Sequence, residues 1–527
     1  MFSNITRCYE AFSGNIRNIN YVHDSLDTLF SVKHMQMSDL YIFIKQITQT
    51  SFIFSNVGLI YFIIFLVYLA GTIYATAVMF LQIAYMRSAI KGREKQSGKN
   101  TNPRFIGKYP KISIQIPVRE EPLDIIERIL TSCSKLDYPK DKLEVIIVSD
   151  DSESNALKIK NLVEEMVKKT GLNILFLHRK ERKGFKAGAL NYALRYSSGD
   201  YIVVFDVDTI FEKDFLKKVV SHALEGYDAV VVRWVAGNVD LTQTSKALSF
   251  VFDIMAEIVQ NGRAYWSRTP ALVGSGCMIK RSILEKLGGW DEKSIAEDSD
   301  MGLRILLSGG KIKFAEDTKI AVEVPYNYAS FKKQQIRWIY GSVEMLRKYA
   351  LAIFSSSYLS FKQKIDNLLY YGQYISIILN IITIVSTSFF IFFKLPLTTN
   401  FIIVQAFLFA TLFFYAYMLF RLIHKMNYRI KSILPYLGRV TAMGLAVSLP
   451  GVVAFVKALL KLGFYWEVTP KGLRGFSLKS NNTQEFAFGL ALIIIGIAAL
   501  FVGYSLLSVY LILNSSAFIY VALRKNL

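Results

Sequence analysis

Short acidic motifs in the middle of the chain have the residue types needed to hold a metal ion. Asp206 and Asp208 lie two residues apart in YIVVFDVD. Residues with this spacing on a strand point to the same face, so both carboxylates can be directed at one site. Paired carboxylates suit Mg2+ or Mn2+, which usually share their coordination shell with substrate phosphates. A solvated turn or a helix cap is the alternative for an isolated Asp-x-Asp.

Two more acidic pairs flank this motif in the sequence. Asp150 and Asp151 end the apolar run LEVIIVSDD, and Glu297 and Asp298 open a predicted helix in IAEDSDMGLRI. A carboxylate at a helix start can cap the helix. It can also act as a general base towards a hydroxyl nucleophile. The motif by itself does not decide between these roles.

A basic segment lies between the first two acidic motifs. The stretch HRKERKGFKAGALN carries five basic residues from Arg179 to Lys186, followed by a turn of small residues. It is either an exposed loop or a cradle for a diphosphate, with the lysines supplying positive charge. A Walker loop and a Gly-x-Gly-x-x-Gly motif are both absent from the sequence, so a P-loop or dinucleotide-binding site lacks support.

The elements that must position these residues are strands alternating with helices. The segments ISIQIPV, LEVIIVSDD, LNILFLH and YIVVFDVD are rich in β-branched residues, and helical patterns such as DIIERILTSC lie between them. This alternation predicts an α/β fold with a largely parallel sheet covered by helices. Ligands of such sheets bind at the carboxyl ends of the strands, where two of the four segments carry their acidic clusters.

Long apolar runs surround this region. Runs of about 20 residues can cross a bilayer as helices. We predict five spans: Phe54 to Tyr85, Asn367 to Phe393, Phe401 to Leu422, and a hairpin within Phe486 to Val521 that turns near Val502 to Leu506. The basic segment RSAIKGREK follows the first span, and the excess of positive charge on the cytoplasmic side predicts a cytosolic domain after it.

The run Val440 to Leu460 is predicted to lie in the membrane interface. Pro450 and Gly451 interrupt it, and lysines edge it. If it crossed the membrane, the basic segment KLGFYWEVTPKGLRG would lie on the outer side. An interfacial or re-entrant position keeps every basic loop in the cytosol.

Composition supports a membrane protein. The 527 residues are 52% apolar and 14% aromatic, with a formal net charge of +21. Many of the basic residues flank the apolar runs, so cytoplasmic membrane margins account for most of the charge, and no nucleic-acid partner is expected. The three cysteines are scattered and support neither a disulfide framework nor a zinc site.

Seven short motifs in order resemble the membrane-embedded family 2 glycosyltransferases, the group of cellulose synthases, hyaluronan synthases and cellulose-synthase-like glucan and mannan synthases. These motifs are IPVREEP, VSDDS, KAGALN, DVD, GSGCMIKR, AED and QQIRW, from about Lys111 to Gly341. The resemblance implies a cytosolic, Rossmann-like GT-A domain inserted between transmembrane helices. At IPVREEP the family's usual Asn is replaced by Glu120, which weakens the comparison at that position.

The resemblance also implies roles for the acidic residues. Asp150 or Asp151 would contact the base or ribose of the donor nucleotide, with Lys186 nearby. Asp206 and chiefly Asp208 would hold Mg2+ or Mn2+ on the diphosphate. Asp298 would be the base that deprotonates the acceptor hydroxyl, beside an acceptor-contacting Glu297.

The QQIRW motif would lie on an interfacial helix over the active site. Arg337 would face the diphosphate, because an arginine can make a bidentate phosphate contact. Trp338 would stack on the terminal sugar of the acceptor, since indole offers an apolar face and an N–H donor. Gln334 and Gln335 would lie beside the acceptor. An aromatic belt with an interfacial arginine explains the place of these residues but not their combination.

The segment YWEVTPKG resembles the gating loop of cellulose synthases, with Trp466 in place of the usual Phe. Thr469 and Lys471 would then reach the donor diphosphate when the loop closes. The predicted organisation is a lead-in at 1–53, a helix at 54–86, the GT-A domain at 101–340, interfacial helices at 341–366, two transmembrane helices at 367–424, the interfacial segment and gating loop at 435–484, and a hairpin at 486–523.

The function implied is a processive, inverting β-glycosyltransferase that polymerises a hexose and passes the polysaccharide across the membrane. The donor would be a nucleotide-diphosphate sugar, with UDP-glucose favoured over GDP-mannose or UDP-N-acetylglucosamine. The partners would be the growing polysaccharide and the lipid bilayer, and the expected location is multi-pass in the plasma membrane. A non-processive transferase acting on a ceramide or polyprenyl-phosphate lipid is the main alternative, and a transporter without catalysis is a second.

Overall fold

The structure is a computed structural model that describes residues 56–96, 109–392, 399–463 and 481–524. Residues from Val67 onward form one compact unit, and the preceding residues belong to a separate N-terminal unit. The first described helix, α1, spans Asn56–Gln96.

One mixed sheet forms the centre of the described chain. Its eight strands lie in the order β3-β2-β1-β4-β7-β6-β8-β5. They are β1 Ile112–Val118, β2 Leu143–Ser149, β3 Asn173–His178, β4 Tyr201–Val204, β5 Ile210–Phe211, β6 Ala229–Ala236, β7 Cys277–Lys280 and β8 Ile312–Val322. Strands β1 to β4 are mutually parallel, as are β6 and β8, whereas β5 and β7 run against their neighbours. The predicted α/β fold with a largely parallel sheet is confirmed.

Helices cover both faces of this sheet. They are α2 Leu123–Ser134, α3 Glu153–Thr170, α4 Phe185–Tyr196, α5 Phe215–Leu224, α6 Gln243–Met255, α7 Arg263–Trp266, α8 Arg281–Lys286 and α9 Glu297–Leu307. A π-helical turn, Ala256–Gly262, separates α6 from α7. Every residue of β2 is buried. A strand buried on both faces is mostly apolar. In LEVIIVS the buried exception Glu144 accepts from the Ser198 hydroxyl at 2.7 Å.

Long helices follow the sheet. They are α10 Tyr328–Ser355, α11 Phe361–Gly372, α12 Ile375–Phe392, α13 Thr399–Lys425, α14 Ile430–Leu459, α15 Thr483–Phe501 and α16 Ser505–Leu523. Helix α10 begins at an N-cap, where the Asn327 side chain accepts a hydrogen bond from the Ser330 N–H at 3.0 Å. The predicted domain boundary after residue 340 therefore falls inside one continuous helix. The QQIRW motif and the residues that follow it therefore belong to the same helix, α10.

Five of the described helices are long and apolar enough to cross a membrane. They are Phe62–Glu94, Ile403–Lys425, Ile430–Leu459, Thr483–Phe501 and Ser505–Leu523. The last two turn at residues 502–504, the position at which the sequence predicts a hairpin. This set of helices is evidence for membrane association.

Two predicted features of the apolar runs differ in the structure. The break expected at Pro450 and Gly451 is wrong, because α14 continues through both and through Pro435. In a long helix the packing of neighbouring helices outweighs the cost of a proline. The run expected as one span from Asn367 consists of two helices, α11 and α12, bent by 55° at Gln373 and Tyr374, and the pair together is still long and apolar enough for one span. The interfacial position of the 440–460 run stays a prediction.

Candidate active site

A cavity of about 670 Å³ contains most of the predicted site residues. It lies where the carboxyl ends of β1, β2 and β4 meet α9 and α10. The predicted residues that line it are Asp150, Lys186, Asp206, Asp208, Glu297, Asp298, Gln334, Gln335, Arg337 and Trp338. Residues separated by nearly 190 positions in the sequence are therefore neighbours in one site.

The turn after β4 carries Asp206 and Asp208 into this cavity. Ser275 holds the turn: its hydroxyl accepts from the Asp206 N–H at 3.0 Å and lies 2.7 Å from the Thr209 hydroxyl. The Asp206 side chain is 31% exposed. Asp208 is buried and accepts from the Glu323 N–H at 3.3 Å. The turn thus places both residues at the cavity wall.

The residues present fit a divalent metal shared with a phosphate ligand. Among the described residues, no group of three or more His, Cys, Asp or Glu side chains is arranged around one point as a complete metal cage. Mg2+ is commonly held by one or two carboxylates with substrate phosphates completing its shell. Asp206 and Asp208 supply that number of hard oxygen ligands on one cavity wall.

Lys186, at the start of α4, connects the two acidic motifs. Its ammonium lies 2.9 Å from the Asp206 carboxylate and 3.1 Å from the Glu297 carboxylate, and it donates to the Gly274 carbonyl at 2.9 Å. Burial lowers the pKa of this lysine, but the charges of Asp206 and Glu297 outweigh burial and raise the pKa above its ordinary value. Lys186 is therefore a permanent cation in the site.

Asp298 lies in the first turn of α9 and has the electrostatics of a general base. Burial, followed by the neighbouring charge of Glu297, raises the pKa of Asp298 to about 6, while Lys186 and Arg337 act in the opposite direction. One carboxylate oxygen accepts from the Ser299 N–H at 2.7 Å. A base with a pKa near neutrality is well matched to proton transfer at physiological pH.

Gly274 permits the close approach of these charged groups. A Cβ at this position would lie 3.0 Å from the Lys186 ammonium and 3.1 Å from the Asp298 carboxylate. The adjacent Ser275 carbonyl accepts from the Trp234 indole at 2.9 Å, which holds the segment in place. The GSGCMIKR motif signals this segment in the sequence, but only the structure identifies Gly274 as the contact point.

The two carboxylates after β2 have different surroundings. Asp150 lines the cavity and pairs with Arg179, whose Nε donates to it at 2.6 Å. Asp151 is buried and accepts from the Glu120 N–H at 2.6 Å and the Ser149 hydroxyl at 2.8 Å. Asp150 is thus the one of the pair that lines the cavity, where Arg179 holds its carboxylate, and Asp151 organises the turn.

The QQIRW residues lie half-buried on α10 along the same cavity. This part of α10 is tied to α15 because the Lys332 ammonium lies 2.7 Å from Glu485, to which Tyr328 also donates at 3.1 Å. Thr469, Lys471 and Trp466 lie outside the described residues.

Asp300 is a site-organising residue that the sequence interpretation missed. It is fully buried and accepts from Lys348 at 2.6 Å, from Arg304 at 2.6 Å and from Tyr349 at 2.7 Å. Lys348 and Tyr349 belong to α10, whereas Asp300 lies two residues after Asp298 on α9. The cluster therefore fixes the helix that carries Asp298 against the helix that carries QQIRW. The second Asp in AEDSD was the available signal.

Sequence comparisons place the chain among known enzymes. The profile described as Glycosyl transferase family 2 matches residues 113–288, and that described as Glycosyl transferase family group 2 matches residues 201–424. A probable glycosyltransferase from Sulfolobus acidocaldarius is 32% identical over 85% of this chain and 95% of its own length. A probable glucomannan 4-beta-mannosyltransferase from Oryza sativa subsp. japonica is 28% identical over 52% of this chain. The alignment covers 46% of that rice protein, so the chain spans about half the length of this plant relative.

A solved structure agrees with the fold. A mannosyltransferase from Pyrobaculum calidifontis, in complex with GDP-Man and Mn2+, has a TM-score of 0.50 with this protein. The match covers 75% of this chain and 99% of that chain at 21% sequence identity, which shows the GT-A fold. The extent of the Sulfolobus match, with the two profiles, establishes that the chain belongs to the family 2 glycosyltransferases.

Proposed function

We propose that this enzyme transfers a hexose from a nucleotide-diphosphate sugar to an acceptor hydroxyl with inversion, and that it repeats the step to build a β-linked polysaccharide that passes across the membrane. One observation carries the proposal. The metal-type pair Asp206 and Asp208, the base-type Asp298, and the Arg337 and Trp338 pair line a single cavity. This combination of residues suits a site that binds a diphosphate leaving group and a sugar acceptor at the same time.

The donor would lie along Asp150, Lys186 and Arg337. Asp150 faces the cavity from the end of β2 and suits the ribose or base. Lys186 and Arg337 place positive charge beside the acidic groups, where a diphosphate needs it. Mg2+ or Mn2+ held by Asp206 and Asp208 would neutralise charge on the leaving diphosphate.

The chain's own groups account for the transfer step. Asp298 accepts the proton of the acceptor hydroxyl while that oxygen forms a bond to the anomeric carbon. The bond from the anomeric carbon to the diphosphate oxygen breaks on the opposite side, so the configuration inverts. Lys186 and Arg337 stabilise the charge that develops on the leaving group. Trp338, Gln334 and Gln335 hold the acceptor sugar, and Glu297 orients Lys186.

The identity of the donor sugar and of its nucleotide can be determined by experiment. UDP-glucose is the donor that the sequence motifs favour. The names of the plant relatives and the GDP-Man bound by the Pyrobaculum enzyme favour GDP-mannose. We therefore propose a hexose donor without fixing the nucleotide. The purified chain should be given UDP-glucose, UDP-N-acetylglucosamine and GDP-mannose in parallel with Mg2+ or Mn2+, and the product digested with linkage-specific hydrolases.

A lipid-linked acceptor is the second candidate. The cavity wall also includes the apolar residues Met255, Val259 and Val440, the last of which lies on α14. An apolar wall next to a membrane-type helix suits an acyl or isoprenoid chain. Products that grow to polymer length on a soluble primer support the synthase. A single hexose added only to a lipid acceptor supports this second candidate.

The 464–480 segment, which lies outside the described residues, is proposed to close over bound donor. Thr469 and Lys471 carry groups that can contact phosphate oxygens, and Trp466 supplies an apolar partner. Lys471→Ala should lower polymer yield strongly at saturating donor, and Trp466→Phe should be tolerated where Trp466→Ala is not. If Lys471→Ala and Trp466→Ala both give the native polymer yield, the segment acts only as a linker.

The membrane topology proposed is multi-pass in the plasma membrane with the GT-A domain in the cytosol. A thiol label applied to single-cysteine variants from the cytosolic side should reach positions near Lys91 and Lys471. Positions in the LPLTTN segment should react only from outside. Reaction of the Lys471 position from outside would mean that α14 crosses the membrane and would remove the gating-loop proposal.

A further inference from the structure

The bend between α11 and α12 is an interruption in an otherwise apolar pair of helices. The two helices together are long and apolar enough for one span, yet they turn by 55° at a two-residue break. Non-helical backbone in such a span is tolerated where it is buried in protein or lines a cavity. The two residues of the break, Gln373 and Tyr374, line the 670 Å³ cavity.

The break lies beside the general base. The Tyr371 hydroxyl donates to the carbonyl of Ser299 at 3.3 Å, and Ser299 directly follows Asp298. The Ser342 hydroxyl of α10 donates to the Tyr371 carbonyl at 2.9 Å, which ties the end of α11 to the helix that carries Trp338. A Cβ on Gly372 would lie 2.1 Å from the Tyr74 hydroxyl, so α1 also packs closely against this point. The position of the break is therefore held from three sides.

Three glutamine side chains line the same cavity without a side-chain hydrogen bond to the residues that the structure describes. Gln334, Gln335 and Gln373 are half-buried, and none of their side-chain amides hydrogen-bonds another residue in the described part of the chain. Amides can donate and accept at once, as pairs of sugar hydroxyls require. Tyr374 adds an aromatic face, which suits the apolar face of a sugar ring. The break thus presents the chemistry of a carbohydrate subsite.

We propose that Gln373 and Tyr374 form a second acceptor subsite, which binds the sugar ring adjacent to the one that is glycosylated. This inference rests on the proposed hexosyl transfer. An acceptor hydroxyl must come within hydrogen-bond distance of Asp298. The donor takes the side of the cavity at Asp206 and Asp208, so the rest of the acceptor extends away from those carboxylates. The break at Gln373 and Tyr374 is tied to α9, the helix that carries Asp298. Its polar groups can therefore contact the sugar ring adjacent to the one that is glycosylated.

The test compares acceptors of one and two hexose units. The purified full chain is studied in lipid nanodiscs. Each acceptor is supplied both as a methyl glycoside and linked to a polyprenyl diphosphate, so that transfer is measured whether the enzyme uses a soluble or a lipid-linked acceptor. The native enzyme should prefer two units over one in kcat/KM. In Gln373→Leu and Tyr374→Leu this preference should fall by about tenfold, since a lost hydrogen bond or ring contact costs on the order of one such factor. The loss should appear in the acceptor KM, with the one-unit acceptor little affected.

Other outcomes separate the failure of this inference from that of the proposed function. Gln243→Leu changes an exposed glutamine at the start of α6 and is the matched control. An unchanged preference in both variants, or an equal loss for one-unit and two-unit acceptors, would overturn the subsite and leave the transferase in place. A native enzyme that does not distinguish the two lengths would also overturn it. No hexosyl transfer by the native chain to any of the acceptors would overturn the proposed function itself.

Discussion

The ammonium of Lys186 lies 2.9 Å from the carboxylate of Asp206, and this ion pair joins the start of α4 to the turn after β4. The same ammonium is 3.1 Å from Glu297, the residue before Asp298. One half-buried cation therefore balances the carboxylates suited to a metal and those suited to proton transfer. A change in any member of this cluster should alter the behaviour of the others.

Asp298→Asn should lower the transfer rate by about 10²–10⁴-fold, because an amide cannot accept the proton of the acceptor hydroxyl. Donor binding should persist, since the size and shape of the side chain are kept. The measurement is kcat for hexose transfer together with the donor dissociation constant. Asp240→Asn, at a side chain that is 88% exposed, is the control. A near-native rate would place the base elsewhere.

The rate should depend on pH through Asp298. Burial and Glu297 raise the pKa of Asp298 to about 6, so the base becomes protonated as the pH falls through about 6 and the rate should fall with it. Lys186 lowers this pKa in the native protein. Lys186→Met should therefore move the acidic limb of the kcat profile to higher pH, in addition to lowering the rate. If the acidic limb of the kcat profile stays at the same pH in Lys186→Met, Lys186 does not influence the pKa of the base.

Asp208→Asn should abolish the response of transfer to a divalent cation, because an amide is a poorer ligand for a hard cation than a carboxylate. The experiment is a titration of Mn2+ or Mg2+ against transfer rate. For the native enzyme, excess chelator should remove activity and added metal should restore it. Full activity of the native enzyme in excess chelator would contradict the metal assignment.

Gly274→Ala should impair catalysis without unfolding the domain. Its Cβ would lie 3.0 Å from Lys186 and 3.1 Å from Asp298, so these charged ends must shift away from the methyl group by a few tenths of an ångström. Gly237→Ala is the matched control, because its Cβ would make only ordinary contacts, the nearest at 3.5 Å. The readouts are kcat and the thermal unfolding temperature. Equal activities of the two alanine variants would show that the spacing is not critical.

Lys348→Met should reduce the free energy of unfolding by about 1–3 kcal/mol, because it removes one charged donor from the buried carboxylate of Asp300. The value is below that for a fully buried pair, since the Lys348 side chain is 34% exposed. Chemical unfolding in detergent measures it. Lys168→Met, at an exposed position on α3, should have little effect. A Lys348 variant as stable as this control would mean that Arg304 and Tyr349 suffice for Asp300.

The carboxylates of the site could be identified from sequence because their positions follow from strand geometry. Asp206, Asp208 and Asp150 come directly after buried apolar strands, and the carboxyl ends of parallel strands meet at one edge of the sheet. Asp298 was identified by its place at the start of a helix and by the order of motifs. Strand ends and helix starts are properties of short sequence segments, so they can be recognised without the tertiary structure.

The neighbours of these carboxylates depend on contacts between distant segments. No local pattern distinguishes Asp150 from Asp151, and only the hydrogen bonds of Asp151 to Glu120 and Ser149 show which one turns inward. The same holds for Asp300, whose partners Lys348 and Tyr349 lie nearly fifty residues away on α10. Hydrogen-bond partners across elements are decided when the helices pack.

The sequence by itself determined the α/β sheet, the motif residues and the set of apolar helices, because periodicity and strand ends are local properties of the chain. The tertiary structure decided where those helices bend. Proline at position 450 leaves α14 continuous, whereas the chain bends at Gln373 and Tyr374, where no proline stands. At the bend the Ser342 hydroxyl of α10 donates to the Tyr371 carbonyl, and the N–H groups of Ser376 and Ile377 donate to the carbonyls of Gln373 and Tyr374. The interrupted backbone is thus satisfied by contacts that exist only in the folded protein.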